Sequence, residues 1–109
     1  MELDMKYVLH IPLSRWENGI LIPLDVDEQL NELINDLELQ GFDSFYVTKV
    51  VSYYKSRKFN EVLITIFAGD GDAPHEIFKE WFLRHNDKLA QEAFAYELGN
   101  KMIIETLKR

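Results

Sequence analysis

The chain has 109 residues, of which 47% are hydrophobic and 28% are charged, and it contains no Cys. These values exclude a disordered tail, a coiled-coil rod, a disulfide framework, a Cys-based zinc site and a thiol nucleophile, and they predict one domain over residues 1–109. The net charge of −7 makes nucleic acid an unlikely partner, because phosphate backbones repel an acidic protein. No apolar run has the length of a membrane span or the pattern of a signal peptide, so we expect a cytoplasmic protein without membrane contact.

The first predicted element is a strand over residues 6–13, in which apolar side chains alternate with others. Tyr7 and Leu9 fall on one face of this strand, and His10 falls on the other. An Asn-Gly turn follows. Residues 20–24 are then a short apolar stretch, which either pairs briefly or covers the core.

A helix is predicted next, because apolar residues recur at helical spacing between residues 25 and 41. Asp25, with Glu28 three residues later, approximates a capping box, and Gly41 is a typical helix stop. The apolar positions of this helix are Val26, Leu30, Leu33, Ile34 and Leu37.

Residues 45–57 and 59–68 are rich in aromatic and β-branched residues, and only a short polar segment separates them. They predict a β-hairpin. In its second strand Val62, Ile64 and Ile66 form the more apolar set, so we expect them to face the helices.

A second helix is predicted to begin at Asp72 or Ala73, with Pro74 in its first turn, where the missing N–H costs nothing. Its apolar stripe consists of Ile77, Phe78, Trp81, Phe82, His85 and Leu89. Residues 93–98 and 101–107 flank a Gly-Asn pair. They predict a last strand that either turns back in a tight hairpin or continues past a bulge.

This order, β-α-β-β-α-β, predicts an α+β, ferredoxin-like sandwich with two helices on one face of a four-stranded antiparallel sheet. The order of elements, together with the segment LSRWENG after the first strand and LAQEAF before the last, resembles small bacterial ferredoxin-like proteins of unknown function. The resemblance implies the fold and carries over no active residue.

The sheet face without helices is the first candidate for a functional surface. Tyr46, Tyr54, Leu63 and Phe67 are placed to form an apolar patch of several hundred Å² on it, and a patch of roughly this size usually marks an interface. Because aromatic residues are enriched in interface cores, we predict a homodimer that buries this face. The alternative is that the terminal strands or residues 20–24 cover it.

His10 is the best candidate for a general acid or base, because its ordinary pKa lies near neutrality. In an enzyme it would act with one of three tyrosines, Tyr46, Tyr53 or Tyr54, in a cavity between the sheets of two subunits. If His10 has no function, we expect it to be an ordinary half-buried or surface histidine.

A cluster of possible metal ligands, Asp70, Asp72, His75 and Glu76, lies where the second helix begins. It lacks the spacing of a calcium loop and of the HExxH motif. Carboxylates at a helix start also satisfy free N–H groups and the helix dipole. We therefore predict capping here, with no metal and no cofactor.

The charges are unevenly distributed. Residues 16–48 contain eight acids and no Lys or Arg, whereas residues 49–58 contain four bases and no acid. Glu28, Glu32 and Asp36 repeat at four-residue spacing on one helix face, where like charges repel each other. This face either aids solubility or docks a basic protein partner. The bases that a neighbouring subunit could offer it are Lys55, Arg57 and Lys58.

The leading functional hypothesis is a small cytoplasmic interaction or binding protein that dimerises through its open sheet. One alternative is a dimeric α+β-barrel enzyme that acts on a small organic substrate, and another is an acidic inhibitor that mimics nucleic acid. An RNA-binding role is disfavoured, because residues 59–68 are acidic and lack the basic, glycine-containing motif of RNA recognition domains. A cavity lined by His10 would favour the enzyme.

Overall fold

The computed structural model of the protein describes residues 2–107 and contains seven strands and two helices in that range. The strands are β1 (Met5–Pro12), β2 (Ser14–Glu17), β3 (Ile20–Pro23), β4 (Phe45–Tyr54), β5 (Arg57–Ala68), β6 (Ala93–Leu98) and β7 (Lys101–Thr106). The helices are α1 (Asp27–Leu39) and α2 (Pro74–Leu89).

The main sheet has five strands in the order β4-β5-β1-β6-β7, and each neighbouring pair is antiparallel. The α+β prediction is confirmed, and the four strands β4-β5-β1-β6 are those that the sequence predicts. The predicted total of four is wrong, because the chain turns back at Gly99 and adds β7 at the edge. Gly99 has φ +58°, a left-handed conformation that glycine adopts without strain.

The β2–β3 hairpin is a separate two-stranded sheet between β1 and α1. Residues 20–23 therefore pair with β2, which is one of the two possibilities that the sequence left open. Neither helix among the described residues is long and apolar enough to cross a membrane.

The helix ends follow the predicted signals with one difference. Asp25 Oδ1 accepts a hydrogen bond from the backbone N–H of Asp27 at 3.1 Å, but the capping residue of α1 is Val26. Gly41, at φ +91°, follows the end of α1, and Pro74 is the first residue of α2. The Asp25 side chain thus accepts a hydrogen bond from a backbone N–H at the start of α1. It does so from one residue before the capping position, which a capping box would require it to occupy.

A single core lies between the sheet and the two helices. Val62, Ile64 and Ile66 are at most 2% exposed, which confirms the predicted orientation of β5. Leu30 packs against the margin of this core and is half-buried. The helical residues that share the core with β5 include Leu33, Leu37, Phe78, Trp81 and Phe82.

The tip of the β4–β5 hairpin extends past the rest of the sheet. β1 pairs with β5 only as far as Glu61, so residues 57–60 are paired in the sheet with β4 alone. Four residues at about 3.3 Å each make an arm of about 13 Å. Lys55 and Ser56 at its tip have φ values of 49° and 64°, as a type I′ turn requires.

Candidate active site

Strands β1 and β6 part at the end of the sheet where the hairpin arm projects. Their pairing runs from Tyr7 opposite Leu98 to His10 opposite Ala95. Beyond this point a cavity of about 100 Å³ lies between the strands, and His10, Ala95 and Gln91 are among its lining residues. The buried core residue Phe82 also lines this cavity, so the cavity extends from the open face to the core beside His10.

His10 lies between two carboxylates on the open face of the sheet. Its Nε2 is 2.7 Å from Glu97 Oε2, and its Nδ1 is 3.4 Å from Glu61 Oε2. Glu61 of β5 lies two residues from Leu63, which pairs with His10. Glu97 of β6 likewise lies two residues from Ala95, the partner of His10 in that strand. Long side chains interact at such diagonal positions across neighbouring strands.

Both carboxylates favour the charged form of His10. Burial alone would lower the pKa of His10, but the hydrogen bonds and charges of Glu61 and Glu97 outweigh burial and raise it above 6.5. A neutral imidazole has only one N–H, whereas an imidazolium can donate to both carboxylates. The hydrogen bond with His10 in turn lowers the pKa of Glu61 below 4.5, against the effect of burial.

The tyrosines proposed to act with His10 lie elsewhere. Tyr46 and Tyr54 are on the open face of β4, with exposed fractions of 52% and 64%, and Tyr53 points to the opposite face. Since β5 lies between β4 and β1, about 10 Å separates Tyr46 from the strand of His10. The structure therefore brings carboxylates to His10 where the sequence suggested a phenol.

The predicted apolar patch lies on the open face as expected. Leu63 and Phe67 are half-buried there, and the rings of Tyr46 and Phe67 are 6.5 Å apart. Ile104, which the sequence analysis did not single out, is 65% exposed on β7 at the other edge of this face. The open face thus has two exposed apolar edges with the His10 cluster between them.

A second cavity of about 90 Å³ adjoins the first. It lies between the β2–β3 hairpin and the hairpin arm, where Trp16, Leu21 and Phe59 line it. Glu61 and Gln91 line both cavities. The two cavities therefore adjoin, and we refer to them together as the groove, with an aromatic end at Trp16 and a charged end at His10.

Two contacts hold together the segments that line these cavities. Gln91 Nε2 donates to the carbonyl of Ser14 at 3.1 Å, and Arg15 Nη1 donates to the carbonyl of Lys88 at 3.0 Å. These contacts tie the segment LSRWENG to the residues around LAQEAF. The two segments on which the sequence resemblance depends therefore meet beside the groove.

The acidic face of α1 is partly neutralised within the chain. Arg84 of α2 contacts Glu32 at 3.1 Å and Asp36 at 2.9 Å, and His85 Nε2 lies 2.6 Å from Glu32. Glu28 is exposed on the same helix. The like charges that α1 presents in the sequence are thus compensated by its neighbour, which leaves a weaker negative surface for a basic partner.

The polar residues at the start of α2 make contacts with nearby parts of the fold. Asp72 Oδ2 accepts a hydrogen bond from the backbone N–H of Gly69 at 3.0 Å. The His75 ring stacks against those of Tyr7 and Tyr96, at 5.5 Å and 5.1 Å between ring centres. Within residues 2–107, no group of three acidic or histidine side chains is arranged to hold a metal ion.

A wider depression of about 420 Å³ lies on the helix side of the molecule. Asp72, Glu76 and Glu80 line it, together with Gln40. Its acidic side chains carry like charges. Its lining residues include no histidine and no pair of titratable side chains that are hydrogen-bonded to each other. The groove at His10, although smaller, is therefore the better candidate for chemistry.

No family model matches the sequence, and the search of curated proteins finds no match either. Two solved structures are similar over nearly the whole chain. One is a phage SAM lyase in complex with S-methyl-5'-thioadenosine, with 15% identity, a TM-score of 0.54 and coverage of 98% of this chain and 92% of that one. The other is a phage SAM lyase in the apo state, with 16% identity, a TM-score of 0.56 and coverage of 96% and 90%. At this identity the likeness shows a shared fold.

Proposed function

We propose that the protein is a small enzyme that cleaves a sulfonium nucleoside of the SAM (S-adenosylmethionine) class in the groove beside His10. The observation that carries the proposal is the partly buried cluster of His10, Glu61 and Glu97, with shifted pKa values for two of its members. Perturbed titratable groups that line a cavity are the usual mark of an active site. The shared fold with phage SAM lyase supports the choice of substrate.

The charge of the cluster suits a cationic substrate. Two carboxylates and one imidazolium carry a net charge of −1, and neutral His10 leaves −2. SAM carries a positive sulfonium and a positive ammonium group. A partly buried negative site attracts such a ligand more strongly than an exposed one, since less water screens the charges.

A lyase reaction needs few groups from the protein. The base removes a proton from the carbon next to the one that is bonded to sulfur, and the electrons of that carbon–hydrogen bond form a carbon–carbon double bond. In the same step the carbon–sulfur bond breaks with its electron pair on sulfur, so that neutral S-methyl-5'-thioadenosine leaves. Neutral His10 accepts that proton, and Glu61 and Glu97 stabilise the imidazolium that results.

The test is incubation of the purified protein with SAM, with chromatographic detection of S-methyl-5'-thioadenosine. We expect His10→Asn to lower kcat by about 100-fold or more, the usual contribution of a general base. His85→Asn is the matched control, because His85 also lies within 2.6 Å of a carboxylate but on the helix side. A wild-type protein that forms no thioadenosine product, or an active His10→Asn variant, contradicts the proposal.

We further propose that two copies face each other through the open sheet. Ligand pockets usually measure about 300–1,000 Å³, whereas the cavity at His10 has about 100 Å³, so a second copy would enclose the substrate. The exposed apolar edges at Tyr46, Tyr54 and Ile104 support such contact. A binding protein without catalysis would use the same face, and the SAM assay separates the two functions.

A further inference from the structure

We propose that the aromatic end of the groove, formed by Trp16, Leu21 and Phe59, binds the nucleobase of the substrate. The identity of the ligand rests on the function proposed above, whereas the aromatic site rests on its own geometry. The ligand that we commit to is the adenine of S-methyl-5'-thioadenosine or of its sulfonium precursor.

The position of this site follows from a residue that lines both cavities. Glu61 lines both the cavity at Trp16 and the cavity at His10, and it is itself hydrogen-bonded to His10. A ligand seated at His10 that extends past Glu61 therefore reaches the cavity at Trp16. Its sugar would then lie near Glu61, whose carboxylate can accept hydrogen bonds from hydroxyl groups.

The Trp16 ring is prepared for stacking. It is 46% exposed, although it is a large aromatic side chain, and the Arg57 guanidinium lies 4.9 Å from its centre. This cation–π contact holds the ring in place and occupies one of its faces, so a base would stack on the other face. Flat bases stack on such aromatic surfaces irrespective of sequence or hydrogen-bonding pattern.

The hairpin that carries Trp16 is anchored on its other side. Arg15, its neighbour in β2, donates a hydrogen bond to the carbonyl of Lys88, and Gln91 donates one to Ser14. Leu21 lies opposite Trp16 in the β2–β3 pairing and lines the same cavity. The aromatic wall is therefore preformed, which lowers the entropic cost of binding.

The chemistry of the groove matches a nucleoside with a cation at its far end. Its aromatic end suits a flat base, and Glu61, which lines the groove beside His10, suits a sulfonium group. Glu97 adds negative charge behind His10, to which it is hydrogen-bonded. A purely apolar ligand would leave the carboxylates unused. A simple cation such as an alkylammonium ion would leave the aromatic end unused.

The experiment is a titration of the full chain with S-methyl-5'-thioadenosine, followed by calorimetry and by tryptophan fluorescence. Trp81 is fully buried and donates to the carbonyl of Gln29, so the exposed Trp16 is the reporter. We expect Trp16→Leu to weaken binding by about 5- to 150-fold, the range for one stacked base. Trp16→Phe should keep most of the affinity but lose the fluorescence change.

Two further variants keep the test decisive. Ile20→Ala alters an exposed residue on the opposite side of the same hairpin and should leave binding unchanged. Phe59→Leu should weaken binding even where Trp16→Leu fails to fold, since Phe59 lies on another strand. The base-free analogue 5-methylthioribose should bind weakly to every variant.

The outcomes separate this site from the proposed reaction. Binding that depends on Trp16, without cleavage of SAM, supports the base site and contradicts the lyase. Cleavage of SAM with an unchanged KM in Trp16→Leu and Phe59→Leu supports the lyase and overturns the base site. A protein that neither binds the nucleoside nor cleaves SAM overturns both.

Discussion

The two faces of the main sheet use neighbouring residues of the same strands in different ways. On β5, Ile64 is fully buried against the helices, whereas Leu63 is half-buried on the open face. On β1, Leu9 lies in the core, and the next residue, His10, forms the charged cluster with Glu61. One face thus carries the apolar core, whereas the other places a charged cluster beside Leu63, which pairs directly with His10.

This difference indicates what each face is for. Removing charged groups from water costs free energy unless partners compensate, and an apolar side chain at position 10 would avoid that cost. The cluster of His10, Glu61 and Glu97 is therefore hard to explain by stability alone. The face covered by the helices therefore holds the fold together, and the proposed function uses the open face.

The largest effect is expected from truncation on the covered face. Ile64→Ala should lower the free energy of unfolding by about 2–5 kcal/mol, because it leaves a cavity in a closely packed core. Leu63→Ala, one residue away on the other face, should cost about 1 kcal/mol, since its side chain is only partly buried. Denaturation in urea measures both. A loss below about 1 kcal/mol for Ile64→Ala would contradict the assignment of the two faces.

The second prediction concerns assembly through the open face. Light scattering at micromolar concentration should report twice the chain mass, and Phe67→Asp or Leu63→Asp should return the protein to monomer. Burying an unpaired charge in an apolar interface costs on the order of several kcal/mol, as burying an unpaired polar group does. Val51→Asp, at a 49% exposed position on the opposite side of β4, is the control and should leave the dimer intact. A wild-type protein that is a monomer would contradict the predicted dimer and would leave ligand binding as the role proposed for the open face.

The third prediction is the pH dependence of the His10 cluster. The fold raises the pKa of His10 above 6.5, so its contribution to stability is present below that pH and is lost as the pH rises through the folded-state pKa. The fold lowers the pKa of Glu61 below 4.5, so its contribution is present above that pH and is lost on further acidification. Both contributions are complete between about pH 4.5 and 6.5.

We therefore expect His10→Asn to cost most in that window, about 1–3 kcal/mol for hydrogen bonds to charged groups. The difference from wild type should shrink as the pH rises above 6.5. The proposed activity should change in the opposite sense and rise with pH, because neutral His10 is the base. Thermal melting curves and kcat/KM measured over the same pH range test both statements. A stability difference that grows with pH would show that His10 is not the group that titrates.

The smallest effect is expected on the exposed surface of the helix layer. Arg84→Ala removes contacts to two carboxylates but should cost only about 0.5–1 kcal/mol, because exposed ion pairs are screened by water. Lys79→Ala, which breaks a single contact to Glu105 at 3.6 Å, should cost less. The effect of Arg84→Ala should fall further in 1 M salt, where the Debye length is about 3 Å. A cost that is independent of salt would mean that Arg84 acts through packing.

Much of the architecture was predictable because it depends on local patterns. The alternation of Val62, Ile64 and Ile66 indicates which side of β5 is buried, and the recurrence of Phe78 and Phe82 indicates the buried stripe of α2. The fifth strand was not predicted with the same certainty. A Gly-Asn pair fits both a hairpin turn and a bulge, and only the pairing of β7 with β6 distinguishes them.

The cluster of His10, Glu61 and Glu97 depends on relations that no local pattern contains. The sequence by itself places His10 on the open face, but its partners are 51 and 87 residues away, at Glu61 and Glu97. Their contact requires the register of β1 with both β5 and β6, and a shift of one residue in either pairing would turn a carboxylate to the other face. The same holds for Trp16 and Phe59, which line one cavity because the β2–β3 hairpin lies beside the hairpin arm. Local periodicity determined the elements and their buried sides, whereas side-chain packing between distant segments, expressed as strand register, decided which polar groups meet.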